Sequence, residues 1–384
     1  MDQFRYLSYA QEVIFQTGSL ALLGQAVERF GWQRLLLCTS RSVRAAGHVE
    51  IVAAALGSRL VAVYDEVRPH VQDVQLEEAL ALAEANKTDA VIGMGGGSPI
   101  GMAKAVAFAL GEKRAAGPAR SPAPTEQPLV PVVAIPATYA GSEMTSVYGI
   151  TRSREDPPRK VTISDPRIAP KLVLYDPQLT VDLPPELTAS TGMNALAHCF
   201  EALYSITRNP PSTAAAIRGV AAIHNSLLRC FQDGKDLEAR SELLAGAHLA
   251  GLALAGVSMG LHHGLCHVLG GSAGVPHGIA NSLVLPHALR FNAAATAPLL
   301  LPAVAAMGIP VDPGEPVAAV ELAAGTIFDL AGKMGLPQKL RQVGIEKTDL
   351  PRLARLAFEN RTVQNNPKPI TDAHQLERLL KEAW

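Results

Sequence analysis

The feature that most constrains the fold is a change of pattern near residue 183. Over residues 16–175, short apolar runs alternate with amphipathic segments of helical spacing, whereas strand-like runs nearly vanish afterwards. Such alternation is typical of a parallel sheet that is covered by helices and binds ligands at the carboxyl ends of its strands. The sequence therefore predicts an α/β fold with a Rossmann-like nucleotide-binding domain over residues 1–183 and an all-helical catalytic domain over residues 184–384.

Individual elements follow from the same patterns. We expect strands over five apolar runs, at residues 34–40, 60–64, 90–94, 130–135 and 172–175. Helical spacing in the first half covers residues 20–30, 43–56, 74–86 and 99–110. In the second half it covers residues 186–205, 212–231, 236–259, 261–269, 317–334 and 350–359. Residues 113–127, rich in proline and alanine, are expected to form a flexible surface excursion.

Composition and charge exclude several classes of partner. With a net charge of −1 and no long basic run, the chain has no electrostatic footprint for nucleic acid or an anionic membrane. Its apolar runs are broken well before the ~20 residues of a membrane span. The four scattered cysteines and the polar first residues favour a cytoplasmic protein with reduced thiols.

Two loops at strand ends indicate a bound dinucleotide. Gly95-Gly96-Gly97-Ser98 joins a predicted strand to a helix, so backbone amides and the helix N-terminus can approach a phosphate. A second polar loop at residues 136–143 follows the next strand. Either loop alone also fits an ordinary turn. The predicted cofactor contacts are Gly95, Gly96, Gly97, Ser98, Thr138, Tyr139, Ser142, Thr39 and Ser40.

The first predicted strand bears on the type of cofactor. It ends in Thr39-Ser40-Arg41, without the acidic residue that marks NAD-specific sites. Small hydroxyls and Arg41 would tolerate a 2′-phosphate. We therefore expect NADH and NADPH both to serve.

The helical half concentrates histidines in residues 261–277. His263 and His267 are four residues apart and lie on one helical face, and His277 follows a glycine-rich turn that folds back toward it. Convergent imidazoles favour a catalytic site, although each histidine could instead pack within a helical core. Cys266, inside the same stretch, fits either a nucleophile or a buried thiol.

These motifs carry a resemblance to a known family. Asn194 and His198 lie one turn apart in a predicted helix, and with the two loops and the histidine stretch they resemble the iron-containing alcohol dehydrogenase family, most closely its maleylacetate reductase branch. The resemblance also covers Asp176-Pro177-Gln178-Leu179-Thr180 and residues 365–369. It implies a dehydroquinate synthase-like architecture, a cleft between the two domains and a homodimer.

The resemblance also implies a metal position with one departure. Family members that need a divalent ion hold it with an aspartate and three histidines, which correspond here to Asn194, His198, His263 and His277. Asn194 brings no charge, and losing a carboxylate beside a divalent ion costs several kcal/mol, judged from a Coulomb energy of about 4 kcal/mol at an effective dielectric near 20. We therefore favour catalysis without metal, with zinc held by the three histidines as the alternative.

The activity implied by the resemblance is NAD(P)H-dependent reduction of maleylacetate, a small dianion, to 3-oxoadipate in aromatic-compound breakdown. The developing enolate would be met by hydrogen bonds from His198, His263 and His277, and His267 would donate a proton or else only pack. Lys160 would bind the substrate, together with Arg159, Asn194 and Tyr139. The alternatives are a metal-dependent alcohol or aldehyde reductase, a silent nucleotide-binding scaffold and a structural zinc site.

Overall fold

The computed structural model describes residues 4–69, 71–115, 128–154 and 159–384. The chain divides into two compact units. Leu7–Leu183 forms an α/β unit, and Pro184–Trp384, with the first residues through Tyr6, forms a helical unit. The predicted fold class is confirmed.

The α/β unit is built on a parallel sheet of six strands: β1 Glu12–Phe15, β2 Leu35–Cys38, β3 Leu60–Tyr64, β5 Ala90–Gly95, β6 Val132–Pro136 and β9 Leu172–Tyr175. Their order is β1-β9-β6-β5-β2-β3. A smaller sheet contains β4 Val71–Gln72, β7 Val147–Arg152 and β8 Arg159–Ser164. Strands β2, β5, β6 and β9 are buried along their whole length, and for this reason they appear in the sequence as continuous apolar runs.

Helices cover this sheet at α1 Leu23–Phe30, α2 Arg41–Ala45, α3 His48–Leu56, α4 Asp73–Ala85 and α5 Gly97–Arg114. The predicted helix over residues 43–56 is wrong in one respect, because Gly47 interrupts it with a left-handed φ of 79°. Helix α5 continues to Arg114, so the predicted surface excursion begins later than expected. Residues 116–127 of that excursion lie outside the described part of the chain.

The helical unit contains α6 Pro185–Tyr204, α7 Pro210–Gln232, α8 Leu237–Ala255, α9 Leu261–Ala273, α10 His277–Ala306, α11 Pro316–Lys333, α12 Leu350–Phe358, α13 Arg361–Gln364 and α14 Ala373–Ala383. All six predicted helices form. Helix α10 was not predicted, since Pro286, Pro298 and Pro302 lie inside it and proline disfavours helix interiors. By length and composition α10 qualifies as a membrane span, but half of its most apolar window is buried and it packs against α6, α9 and α11 as a core helix.

The Asp176 motif has a structural role in the α/β unit. The Asp176 carboxylate accepts hydrogen bonds from the backbone amides of Gly18 (2.9 Å), Leu20 (3.3 Å) and Gln178 (3.1 Å). These bonds fasten the end of β9 to the segment that follows β1. The carboxylate satisfies amides that open two short 3₁₀ turns, which explains an acid followed by proline at this point.

Candidate active site

The two predicted cofactor loops meet at the carboxyl ends of β5 and β6. The Ala137 amide donates to the Gly95 carbonyl at 2.9 Å, and a Cβ on Gly96 would lie 3.3 Å from Thr138 Cγ2. Gly95 has a φ of 135°, which side chains rarely adopt. The structure therefore brings together the loops that the sequence analysis proposed for a dinucleotide.

Helix α5 starts within the glycine-rich loop, at Gly97, and runs for 18 residues. It packs so tightly on β5 that a Cβ on Gly93 would lie 2.7 Å from Ile100 Cα. A long helix whose first amides follow glycines presents donors and a positive dipole end to an anion. This geometry suits a phosphate group of the cofactor.

The hydroxyl of Thr39 is used within the protein. Thr39 is fully buried, and its Oγ1 donates to the Met94 carbonyl at 2.8 Å, which ties the end of β2 to β5. Ser40 Oγ lies 3.0 Å from Ser42 Oγ. Thr39 therefore supports the sheet edge, and Ser40 is the more accessible of the two predicted cofactor contacts.

Arg41 is paired in a way that the sequence analysis missed. Its Nε and Nη2 donate to Glu66 Oε1 at 2.9 and 2.7 Å, and both side chains are largely exposed. Glu66 follows β3, the neighbouring strand, so the pairing depends on sheet order. The Glu66 carboxylate therefore partly neutralises the Arg41 guanidinium.

Lys104 is a buried cation that sequence reasoning also missed. Its Nζ donates to Ser142 O at 2.6 Å, Val147 O at 3.0 Å and Thr145 Oγ1 at 3.1 Å, which connects α5 to the second loop. Burial lowers the pKa of Lys104 to about 7, while the nearby Glu143 carboxylate acts in the opposite direction. In the sequence, the sign that could have identified Lys104 was a single lysine in an otherwise apolar helical stretch.

Glu143 lies beside Lys104 in the same loop and is buried. Its Oε1 accepts a hydrogen bond of 2.8 Å from the Tyr175 hydroxyl. Burial raises the pKa of Glu143, and Tyr175 and Lys104 act to lower it. Lys104 and Glu143 therefore fix the loop that carries the proposed cofactor contact Ser142.

In the helical unit, the predicted histidines converge from three helices. His198 on α6 stacks on His263 of α9, with ring centroids 4.8 Å apart and planes 15° apart. His267 stacks on His277, the first residue of α10, at 6.1 Å and 18°. His263 also lies 6.2 Å from His277 and 6.5 Å from His267. His198 and His263 are buried, His277 is half-buried and His267 is exposed.

One further member of this cluster, Glu201, was not predicted. Glu201 is fully buried on α6, and its Oε1 accepts from the amides of Gly260 (2.9 Å) and His262 (3.0 Å). Its Oε2 accepts from the His263 amide at 3.3 Å and is in close contact with His263 Nδ1. Glu201 follows His198 by three residues and therefore shares its helical face, which was the only sequence signal.

Burial controls the charge of the cluster. It lowers the pKa of His198 and of His263 well below the ordinary histidine range, and neighbouring histidines add to the effect. Both rings are therefore neutral near pH 7. Within the described residues, His198 Nδ1 and His263 Nε2 are buried without a hydrogen-bond partner.

The cluster offers one set of atoms that fits a divalent cation. Glu201, His262 and His263 bring potential ligand atoms within 4.8 Å of one another, but the Glu201 oxygens already accept N–H groups and are not open to a metal. His198 Nδ1 and His263 Nε2 are buried nitrogens without a hydrogen-bond partner among the described residues. Together with His277 and Asn194 they belong to the set that the resemblance implies, whose neutral nitrogen and oxygen donors are of a kind that zinc or iron accepts.

Cys266 is not placed to act as a nucleophile. It is fully buried, and its Sγ lies 3.8 Å from His262 Nε2. Burial, with the nearby Glu201, raises the pKa of the Cys266 thiol well above its usual value. A thiol held neutral in this way packs and does not attack a substrate.

The proposed substrate contacts differ in how far they are described. Asn194 is 5% exposed and lies on α6, one turn before His198, whereas Tyr139 is fully buried in the second loop of the α/β unit. The side chains of Arg159 and Lys160 lie outside the described part of the structure. Their role in binding a dianion stays a prediction.

Known proteins resemble the chain over its whole length. Residues 10–177 match the family signature of iron-containing alcohol dehydrogenase, and residues 188–384 match the C-terminal signature of the Fe-containing alcohol dehydrogenase family. The maleylacetate reductase of Pseudomonas knackmussii is 37% identical over 372 residues, which span 97% of this chain and 95% of that protein. The crystal structure of maleylacetate reductase from Agrobacterium tumefaciens has a TM-score of 0.86 at 32% identity and covers 100% of this chain and 99% of its own. That of a 1,3-propanediol oxidoreductase has a TM-score of 0.90 at 29% identity and covers 100% of both chains.

Proposed function

The chain belongs to the iron-containing alcohol dehydrogenase family, and from this premise we propose that it reduces maleylacetate to 3-oxoadipate with NADH or NADPH. The chain is an oxidoreductase. The observation that carries the substrate is the full-length similarity to maleylacetate reductases. Asn194, an uncharged residue in the histidine cluster, supports the same branch.

The reaction needs one hydride and one proton. The nicotinamide delivers hydride to the alkene carbon β to the ketone, and the π electrons move to form an enolate. A proton then adds to the α carbon and restores the ketone, which leaves a single carbon–carbon bond and oxidised cofactor. Catalysis therefore requires hydrogen-bond donors at the enolate oxygen and a proton donor at carbon.

Each unit supplies a part of this chemistry. In the α/β unit, Gly95–Gly97, Ser98 and the loop with Thr138, Tyr139 and Ser142 hold the cofactor at the start of α5. In the helical unit, we assign His198, His263, His277 and Asn194 to the polar surface that holds the substrate. His267 is exposed and stacked on His277, and we assign it the proton transfer. Lys160 would neutralise a substrate carboxylate.

The family description implies iron. His198, His263, His277 and Asn194 would hold a divalent ion, which when bound would polarise the substrate carbonyl. We propose that turnover does not require it, because Asn194 contributes no charge to the ligand set and an enolate can be met by hydrogen bonds alone.

Purified protein that has been dialysed against a chelator tests both parts of the proposal. With freshly prepared maleylacetate we expect loss of NADH absorbance, and elemental analysis of the same sample should find no stoichiometric metal. Turnover restored only by zinc or iron would overturn metal-free catalysis. Turnover of simple aldehydes but not of maleylacetate, with or without metal, would overturn the substrate.

Cofactor preference gives a second prediction. Glu66→Gln frees Arg41 from its carboxylate partner, so the KM for NADPH relative to NADH should fall by about 2–5-fold, the range of an exposed ion pair. Steady-state kinetics with both cofactors measure the ratio. Glu77→Gln, which breaks an exposed pair with Arg154 instead, is the matched control and should leave it unchanged. An unchanged ratio in the Glu66 variant would place the 2′-phosphate away from Arg41.

A further inference from the structure

The contacts around His262 determine where its hydrogen lies. His262 Nε2 is 3.1 Å from the backbone carbonyl oxygen of Asn281. A carbonyl oxygen only accepts, so this nitrogen carries the hydrogen. Its other nitrogen, Nδ1, lies 3.2 Å from His263 Nδ1, so only one of these two facing nitrogens can carry a hydrogen.

The same reasoning extends to His263. Its Nδ1 lies 3.2 Å from His262 Nδ1 and in closer contact with Glu201 Oε2, which as a carboxylate oxygen only accepts. A hydrogen on His263 Nδ1 satisfies this arrangement, since it points at two acceptors. If the hydrogen were on Glu201 instead, two bare ring nitrogens would face each other at 3.2 Å.

Burial raises the pKa of Glu201, whereas His262 and the backbone amides around the carboxyl group act to lower it. Three backbone amides, of Gly260, His262 and His263, donate to its two oxygens. Donors around a carboxyl group stabilise its ionised form. Toward these described neighbours, both oxygens of Glu201 therefore act as hydrogen-bond acceptors.

We propose that Glu201 is a positioning residue that holds the hydrogen of His263 on Nδ1 and thereby presents the Nε2 lone pair to the histidine cluster. That nitrogen is the buried atom of His263 without a partner. His263 is then an electron-pair donor, able to hold a divalent cation, and not the hydrogen-bond donor to the enolate that the sequence analysis expected. Its place in the reaction rests on the proposed function, whereas its tautomer does not.

The neighbouring contacts make this a fixed arrangement. Asn281 connects the cluster to the start of α10. Its side-chain Nδ2 donates to the His277 carbonyl at 2.8 Å, and its backbone carbonyl accepts the hydrogen bond from His262 Nε2. Glu201 lies on α6, and His262 and His263 open α9. Three helices thus share one hydrogen-bond chain, as is usual for residues that orient an imidazole ligand.

Glu201→Gln tests the proposal on the whole protein. The glutamine carbonyl can keep the Gly260 and His262 amide bonds, while its NH₂ faces His263 Nδ1 and should drive the ring hydrogen to Nε2. Nitrogen NMR of ¹⁵N-histidine-labelled protein reports the tautomer, and His263→Asn identifies the signal. We expect a bare Nε2 in the native protein and a protonated Nε2 in the variant.

Binding of Co²⁺, followed by visible absorbance, is the second measurement. Losing the carboxylate should weaken Co²⁺ binding by about 10–100-fold, as for other residues that orient a metal-binding histidine. Glu201→Asp, which keeps a carboxylate, should keep the native tautomer and most of the affinity. Glu143→Gln, which changes a buried carboxyl group in the α/β unit, should leave both measurements unchanged.

Three outcomes would overturn the proposal: a hydrogen on Nε2 in the native protein, the same tautomer in both proteins, or equal Co²⁺ affinity. If Glu201→Gln does not fold, the native spectrum and Glu201→Asp still decide. All measurements use resting protein without substrate. If the protein fails to reduce maleylacetate, the NMR and Co²⁺ results therefore still stand. If the tautomer assignment fails, the turnover result still stands.

Discussion

His267→Asn is expected to lower kcat for maleylacetate by about 10²–10⁴-fold, the usual contribution of a positioned proton donor. Asparagine keeps a polar side chain but cannot deliver a proton to the enolate carbon. His267 is exposed on α9, so the substitution should leave the fold and the cofactor affinity nearly unchanged. Stopped-flow measurement of NADH oxidation, with NADH binding followed by fluorescence, separates the two effects.

The control for this prediction is a histidine outside the cluster. His374 begins α14, is exposed and contacts Asp372, so His374→Asn makes the same chemical change far along the chain from α9. It should retain native kcat. A His267→Asn enzyme within about threefold of native kcat would show that His267 only packs on His277, and another group would have to supply the proton.

Lys104→Met is expected to lower the free energy of unfolding by about 1–3 kcal/mol. The change removes the donor shared by Ser142 O, Val147 O and Thr145 Oγ1. Ser142 O keeps the Thr145 amide and hydroxyl as donors, so the loss falls mainly on Val147 O, and one buried acceptor left unpaired costs about 1–3 kcal/mol. Chemical denaturation measures the loss. Lys113→Met, on the same helix but exposed and paired with Glu84, should change stability by less than about 0.5 kcal/mol.

The same variant should change how stability depends on pH. The pKa of Lys104 is about 7 in the folded protein against 10.5 for an unperturbed lysine, so between these values the folded state binds fewer protons than the unfolded state. This group therefore makes the free energy of unfolding rise with pH through that window. Lys104→Met should lack that rise. Equal stability and equal pH slopes in the two proteins would contradict the role given to Lys104.

Much of the fold was predictable because the α/β unit buries its strands on both faces. Strands β2, β5, β6 and β9 appear as apolar runs between amphipathic helices, and no tertiary information was needed to find them. Strand β7 has alternating burial and pairs antiparallel with β8, so it lacks that continuous pattern. Helix α10 was missed because Pro286, Pro298 and Pro302 lie inside it and proline disfavours helix interiors.

The site was predictable where its residues form local motifs. Glycines after a strand and histidines four residues apart are visible in the chain. Within the α/β unit the structure brings the glycine loop against Thr138, and within the helical unit it brings the histidines together. Glu201 and Lys104 were missed because their importance depends on burial and on partners that come from other elements. A charged residue in a helical pattern is normally on the solvent side, and only packing shows the exception.

The tight join between β5 and α5 restricts how this protein can diversify. No side chain fits at Gly93, and Gly95 needs a backbone conformation that other residues avoid, so few substitutions can be accepted at this glycine-rich loop. The Arg41–Glu66 pair on the adjoining strand ends is exposed and free to vary. If the proposed cofactor contacts are right, adaptation to a new nicotinamide cofactor would therefore begin at that edge, where a substitution leaves the glycine-rich loop intact.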